Sequence, residues 1–482
     1  MTLYGGAQWV VLLASLISFP ILTRLLSTEE YGLFAVANAT AALLTGLAKC
    51  GLSTAYLREH AALAPAGRTA LTATSFWTAL GIAVVVAGTY LLVAGGLGLV
   101  PGGLPADIPP LIALLVVAAA ARDLYYAVVR AEGDFLRVSL VTMLLRLGSV
   151  ALGLTLCWLL SERILGYLVG AAFWELALIA LLWMGVARAG QLSPAAFSPI
   201  IVRHLIAYGA PLVVFEVSAL TNEYVDRYLI AHFMGLGHVG VYSVGYNLAT
   251  YVTLGLVMPM WQVLFPAVSR LWEQSGRAQA EDFLSRLLLV YVFVGCGIAL
   301  LVGANADEVI TLFASSKFAQ SAHILRIVAM VLLVYGSTWI FGAGFHLQRR
   351  TGLLASLMAG AAILNVALNV LLIPKYGLEG AVLATVGSYG VLTVVMVVLS
   401  RRYILIAIPV RALVTCGAAG LVAAAVLRLM SFDSELVSIA VKSATGVALY
   451  LVPVLTFNPA LREMARAGIH RALPGPASVP PS

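Results

Sequence analysis

The chain has little charge. Of its 482 residues only 10% are Asp, Glu, Lys or Arg, against roughly 25% in a soluble domain. It therefore has too little polar surface to cover itself in water, which excludes an ordinary soluble enzyme or binding module. Cysteine is also sparse. Cys50, Cys157, Cys296 and Cys416 lie in four separate apolar runs with no metal-ligand spacing, so they read as small core residues and no metal site is expected. There is no G-x-x-x-x-G-K-[ST], no H-E-x-x-H and no G-x-S-x-G, so catalytic residues and cofactors are expected to be none. The first residues, MTLYGG, have no basic start, and no small-residue cleavage site follows, so the first apolar run is expected to be retained as a span. The basic residues, which give a net charge of +7, are spread over many short breaks. They form no clustered basic face, so nucleic acid is not an expected partner.

What is present is grease. The chain is 62% hydrophobic, and its mean hydropathy is +1.01. A spanning helix needs about 20 mostly apolar residues. Such runs occur near 7–26, 33–56, 71–97, 109–129, 136–160, 164–187, 206–230, 239–264, 284–303, 324–347, 353–373, 378–400, 408–427 and 436–456. The runs are continuous rather than alternating, which excludes barrel strands. The expected fold is an all-α polytopic membrane protein with about fourteen helices. With the N-terminus inside, the inner breaks hold seventeen Lys or Arg and the outer breaks six. That bias places both termini in the cytoplasm. No outer break exceeds about 20 residues, too little for the extramembrane platform of a membrane glycosyltransferase, polymerase or ligase. The end, ALPGPASVPPS, reads as a Pro-rich disordered tail.

One interruption recurs. LTRLLSTEEYGLFAVA breaks and resumes as AHFMGLGHVGVYSVGY does: Gly32 to Val36 fall over Gly240 to Val244 at an offset of 208. VVRAEGDFLRVSLVTMLLRLGSVAL similarly resembles FHLQRRTGLLASLMAGAAILNVAL at an offset near 219, placing Arg146 over Asn365. Spans one to six and seven to twelve thus read as two copies of one unit entering the membrane in the same direction, a parallel repeat. The expected division is a six-helix lobe at 1–190, a second at 191–404, two added helices at 405–460 and a cytoplasmic tail at 461–482. Within the interruption, Ser27 and Glu30 form an S-x-x-E capping box. Arg24 places a cation at the negative end of the first helix.

Ten charges lie too deep to reach a surface: Lys49, Arg122, Asp123, Arg146, Glu175, Glu216, Glu223, Asp226, Arg227 and Lys442. Facing lipid, each basic or Asp residue costs roughly 2.5–3.5 kcal/mol. Ten would cost about 25–35 kcal/mol, above a domain's net stability of about 5–15 kcal/mol. Most must therefore face protein or water. Glu216, Glu223 and Arg227 fall within roughly 40° on one helix face, with Asn222 and Asp226 beside them and Glu223 to Arg227 an i,i+4 pair. Arg122 and Asp123 are adjacent, with Tyr126 one turn on. Asn365 and Asn369 share a face, and Tyr246 and Asn247 lie in the eighth span. Two readings stand for these groups: buried pairs that fix packing, and the lining of a hydrated lumen. Arg146 has no acid within a turn or two and favours the lumen. Lys442 reads as snorkelling to the surface. Pro20, Pro211, Pro259 and Pro266 permit bending. Gly166, Gly170, Gly380, Gly387 and Gly390 suggest close helix contacts.

The segments LTRLLSTEEYGLFAVA, NEYVDRYLIAHFMGLGHVGVYSVGYNLA, VLFPAVSRLW and IPKYGLEGAVLAT together resemble the polysaccharide transporter (Wzx-type oligosaccharide flippase) family. That family lies in the superfamily of multidrug/oligosaccharidyl-lipid/polysaccharide exporters. The resemblance covers most of the first twelve spans. It implies two lobes opening alternately to each side of the bacterial inner membrane, and no enzyme activity. The implied cargo is an undecaprenyl-diphosphate-linked oligosaccharide for surface polysaccharide. Membrane lipids, the polysaccharide polymerase and the chain-length machinery are its implied partners. A cationic lumen would hold the diphosphate through Arg24, Arg122, Arg146 and Arg227, with Tyr126, Asn222, Tyr246, Asn247, Asn365 and Asn369 toward the sugars. The sequence departs from that pattern in holding as many buried acids as bases. Asp123, Glu175, Glu216, Glu223 and Asp226 are expected to carry a coupling proton or sodium ion. The alternatives are a cation-coupled multidrug antiporter of the same superfamily and a membrane enzyme or assembly scaffold.

Overall fold

A computed structural model describes residues 2–96, 101–432 and 434–464; the proline-rich tail lies outside them. Their regular structure is all helical, with no strand among the described residues. The helices are α1 (Thr2–Leu25), α2 (Thr28–Lys49), α3 (Leu52–Ala62), α4 (Pro65–Gly96), α5 (Ile108–Ala131), α6 (Phe135–Leu159), α7 (Arg163–Arg188), α8 (Pro199–Met234), α9 (Leu236–Gln274), α10 (Arg277–Ala314), α11 (Ser321–Gly336), α12 (Thr338–Leu347), α13 (Thr351–Tyr376), α14 (Leu378–Ser400), α15 (Val410–Arg428) and α16 (Glu435–Phe457). Twelve stretches among the described residues are long and apolar enough to cross a bilayer, with α2–α3 and α11–α12 each counting once. Trp9–Leu25 of α1 is a shorter apolar helix, and α9 runs for 39 residues. Each of the fourteen predicted spans falls on one of these.

By contacts the chain divides into two compact units. The first holds the chain to Val244 with Phe313–Ser321 and Thr351–Leu392, and the second holds the remainder.

In the first unit the predicted capping box is present. The Ser27 hydroxyl accepts from the Glu30 amide at 3.1 Å, and Glu30 Oε2 accepts from the Ser27 amide at 2.7 Å. The preceding end of α1 is closed by cations from elsewhere in the chain. Lys317 donates to the carbonyls of Arg24 and Leu26, and Arg163 to that of Leu25. These are the carbonyls a helix leaves without partners. Burial pushes the Lys317 ammonium down, Glu30 opposing this and Arg163 adding to it.

The repeat appears as a reciprocal contact. A Cβ on Gly32 would lie 1.9 Å from the Leu236 carbonyl oxygen, and one on Gly240 would lie 1.9 Å from that of Thr28. Leu236 stands to Gly240 as Thr28 stands to Gly32, so each copy offers its partner the same two positions, as across a twofold axis. Helix pairing follows the same rule: α6 packs on α1 as α13 packs on α8. The α6–α7 and α13–α14 hairpins match too. Gly166 meets the Leu156 carbonyl and Gly380 the Leu372 carbonyl, at Cβ distances of 2.5 and 2.3 Å. Gly170 and Gly387 are also tight, whereas Gly390 faces open space.

The second predicted span is not continuous. Cys50 (φ 47°) and Gly51 (φ 64°) take left-handed backbone between α2 and α3. A Cβ at Gly51 would meet the Gly209 carbonyl at 2.6 Å. Two backbones in contact leave no room there for a side chain, and glycine alone adopts such φ values without strain. The seventh span is longer than expected. It begins at Pro199 rather than near 206, and Pro211 lies inside α8.

The second unit has two apolar clusters. One gathers Leu264, Leu284, Leu288, Tyr291 and Ile340, and the other Leu300, Cys416, Ala423, Tyr450 and Val454. Here Lys442 departs from expectation. It is nearly buried and ion-paired to Glu308 on α10, which also accepts from the Ser438 hydroxyl at 2.7 Å. Snorkelling gives way because a carboxylate at the same depth offers a partner the side chain can reach without stretching to the surface.

Candidate functional site

The deep charges of the first unit resolve into four groups. The first joins three helices. Lys49 Nζ, at the end of α2, lies 3.2 Å from Glu216 Oε1 on α8 and 4.0 Å from Asp123 Oδ1 on α5. The Ser53 hydroxyl donates to the other Asp123 oxygen. These side chains are a quarter to a third exposed, at 25% for Lys49, 32% for Asp123 and 34% for Glu216. Their charges are thus paired but not enclosed.

In the second group, Arg122 on α5 pairs with Glu175 on α7. Adjacent positions on a helix point about 100° apart, which is why Arg122 and Asp123 serve different neighbours. Tyr126, one turn on, lies beneath the Arg130 guanidinium at 5.8 Å from ring centroid.

The third group is buried. Asp226 and Arg227 pair at 3.2 Å with side chains only 1% and 3% exposed. Asp226 also accepts from the Tyr242 hydroxyl at 2.5 Å. Arg227 donates to the Glu223 carbonyl. Beside them Asn222 donates to the carbonyls of Ser218 at 3.0 Å and Met358 at 3.3 Å, and its own carbonyl accepts from Tyr389. On α13, Asn365 donates to the Ser388 hydroxyl at 2.9 Å, and Asn369 to the side chain of Asn365 at 3.0 Å. The two asparagines predicted to share a face do so, and that face packs on α14. The side-chain carbonyl oxygens of Asn222 and Asn369 are buried acceptors without a donor.

The fourth group is a single cation. Arg146 on α6 gives Nη2 to the Ser15 hydroxyl on α1 at 2.7 Å. Its Nε is buried without a hydrogen-bond partner. No ion pair to a carboxylate is made by Arg146 among the described residues. An arginine at this depth with only a neutral partner is electrostatically unfinished.

Of the remaining candidates, Arg24 is exposed at the end of α1. Tyr246 and Asn247 lie on the part of α9 belonging to the second unit. No group of three or more His, Cys, Asp or Glu suited to a metal occurs among the described residues. Sequence reasoning passed over Ser15, Ser53, Tyr242 and Ser388, whose hydroxyls look like ordinary span residues in one dimension. It noted Lys49 as a deep charge without assigning it a site.

Residues 21–323 fit the family model described as polysaccharide biosynthesis protein. The chain is 25% identical over 281 residues to the "Probable low-salt glycan biosynthesis flippase Agl15" of Haloferax volcanii, covering 56% of this chain and 58% of that one. It is 23% identical over 347 residues to the "Lipopolysaccharide biosynthesis protein WzxC" of Escherichia coli, covering 68% and 67%. The chain thus spans less than two thirds of the Agl15 protein. In fold it is similar to the lipid II flippase MurJ in an inward closed conformation (TM-score 0.79, 15% identity, 97% of this chain and 100% of that). It is also similar to an inward-facing multidrug resistance MATE family transporter (TM-score 0.67, 15% identity, 81% and 94%). A repeated all-helical membrane fold, a set of charges inside it and a family match over more than half of its length give one conclusion: the chain belongs to the polysaccharide biosynthesis protein family.

Proposed function

We propose that the chain is a flippase, moving a polyprenyl-diphosphate-linked oligosaccharide across the cytoplasmic membrane by alternating access. The observation that carries this is Arg146. A guanidinium held in a spanning helix by one hydroxyl, with a buried Nε left over, is an anion site waiting for its anion. A diphosphate supplies charge and several acceptor oxygens in one group. The names of the relatives, a glycan biosynthesis flippase and a lipopolysaccharide biosynthesis protein, support a cargo of this class. Arg122 and Arg227, already paired, tune the potential around that site. The uneven Lys and Arg distribution supports termini on the cytoplasmic side. The repeat supports two six-helix lobes, with the last two helices appended.

Coupling to an ion belongs to the acids Asp123, Glu175, Glu216, Glu223 and Asp226. Five deep acids set against five deep bases favour one second reading, a cation-coupled antiporter, and a drug-accumulation assay separates the two.

The test is Arg146→Glu and Arg146→Gln in cells making the polysaccharide, with membrane levels of the protein checked. Surface polysaccharide is expected to be lost with Glu and reduced with Gln, the protein remaining abundant. Normal polysaccharide from Arg146→Glu overturns the proposal.

A further inference from the structure

We infer that Lys49 is a second phosphate contact, held by carboxylates until cargo arrives, and that its transfer from carboxylate to phosphate loosens the C-terminal end of α2 from α8. The inference rests on the reading above that the cargo carries a diphosphate.

Three observations converge on Lys49. Its ammonium has three donors, yet it makes one hydrogen bond among the described residues, to Glu216 at 3.2 Å. Asp123 at 4.0 Å is an ion partner beyond hydrogen-bond reach. A partly engaged ammonium can accept a further anion without first losing a full set of bonds. Next, the three side chains are a quarter to a third exposed, whereas Arg227 is 3% exposed. Lys49 thus keeps open surface on which a phosphate can approach, as Arg227 does not. Asp123 also keeps its Ser53 hydroxyl. Finally, Lys49 is the last residue of α2, directly before the left-handed pair Cys50 and Gly51. The ion pair fastens that break to α8, where Gly51 already touches Gly209 and Gly46 crowds Leu220.

The exchange has a clear direction. A carboxylate carries one negative charge, and a diphosphate carries more, over more oxygens. Lysine binds phosphate well as a point charge. Once Lys49 turns to phosphate, the C-terminal end of α2 keeps only uncharged contacts with α8, at Gly51 with Gly209 and Gly46 with Leu220. The break of two left-handed residues is then where α3 can reorient, because φ there is already outside the helical well. Substrate binding and helix release thus become one event.

The test uses the purified full chain with undecaprenyl diphosphate as probe, and the native Cys50 thiol beside Lys49 as reporter. The diphosphate is expected to speed alkylation of Cys50 by N-ethylmaleimide, mapped by mass spectrometry. Lys49→Gln should bind the diphosphate about tenfold to a hundredfold more weakly, the loss of one charge-assisted bond. Its Cys50 should react fast without ligand. The double variant Lys49→Met with Glu216→Met removes the hydrogen-bonded pair and leaves Asp123 with its Ser53 hydroxyl. It should keep a melting temperature near that of the unaltered protein yet still bind weakly. Full binding by this double variant makes Lys49 a strut and overturns the inference. So does an unchanged Cys50 rate in the unaltered protein while diphosphate is bound. If Arg146→Gln loses binding and Lys49→Gln does not, this inference alone falls. If the unaltered protein binds no undecaprenyl diphosphate, the proposed function falls and this falls with it.

Discussion

Gly32→Ala probes the crossing where the two copies meet. The new Cβ would lie 1.9 Å from the Leu236 carbonyl oxygen, 2.8 Å from its carbon and 3.0 Å from the Gly240 amide nitrogen. Real Cβ contacts stay beyond 3.0 Å, so α2 and α9 must part by at least about 1.1 Å there. The obstacle is backbone, which cannot rotate away as a side chain would. Overpacking of this kind costs about 1–3 kcal/mol, and the higher helix propensity of Ala returns about 1 kcal/mol. The clash therefore wins, by an amount worth a few degrees in a thermal-shift assay of the solubilised protein. Gly237→Ala is the control. It is on α9, about one turn from Gly240, and its Cβ would meet Glu29 Cγ at 3.5 Å, an ordinary contact. It is expected to be neutral. The double variant Gly32→Ala with Gly240→Ala is the sharper measurement. One separation relieves both clashes, so the double should cost clearly less than the sum of the singles. Strict additivity, or a Gly32→Ala protein as stable as Gly237→Ala, refutes the reciprocal crossing.

Two further outcomes are expected. Glu308→Gln leaves Lys442 charged and nearly buried, so it should destabilise by about 3–5 kcal/mol, whereas Glu308→Leu with Lys442→Met should recover most of that, as read by melting temperature. Ser27→Ala removes the hydroxyl that caps α2 and should cost about 0.5–2 kcal/mol, with Ser27→Asp close to the original; an unchanged melting temperature for the alanine variant would falsify the cap's contribution.

Much of the fold was legible because a bilayer makes helices announce themselves. A span must be about 20 apolar residues, and no other segment of a chain looks like that. The capping box at Ser27 and Glu30 was readable for the same local reason, since its partners are three residues apart. The repeat was readable in Gly32 and Gly240, although nothing in one dimension shows that they touch. The site was less legible. Arg146 stood out through what is missing around it, and its isolation from carboxylates persists in three dimensions. Partners were another matter. Arg122 looked coupled to its neighbour Asp123, yet it pairs with Glu175, 53 positions away. Lys442 looked like a residue bound for the surface and pairs with Glu308, 134 positions away.

By itself the sequence determined the solvent of this protein, its helical class and where its apolar runs lie along the chain. All of these follow from composition and from distances along the chain. Only tertiary structure decided which charge meets which, where α2 breaks, and that Lys49 lies between two carboxylates. Those outcomes depend on contacts between helices far apart in sequence, where a one-residue step turns a side chain by about 100° toward a different neighbour.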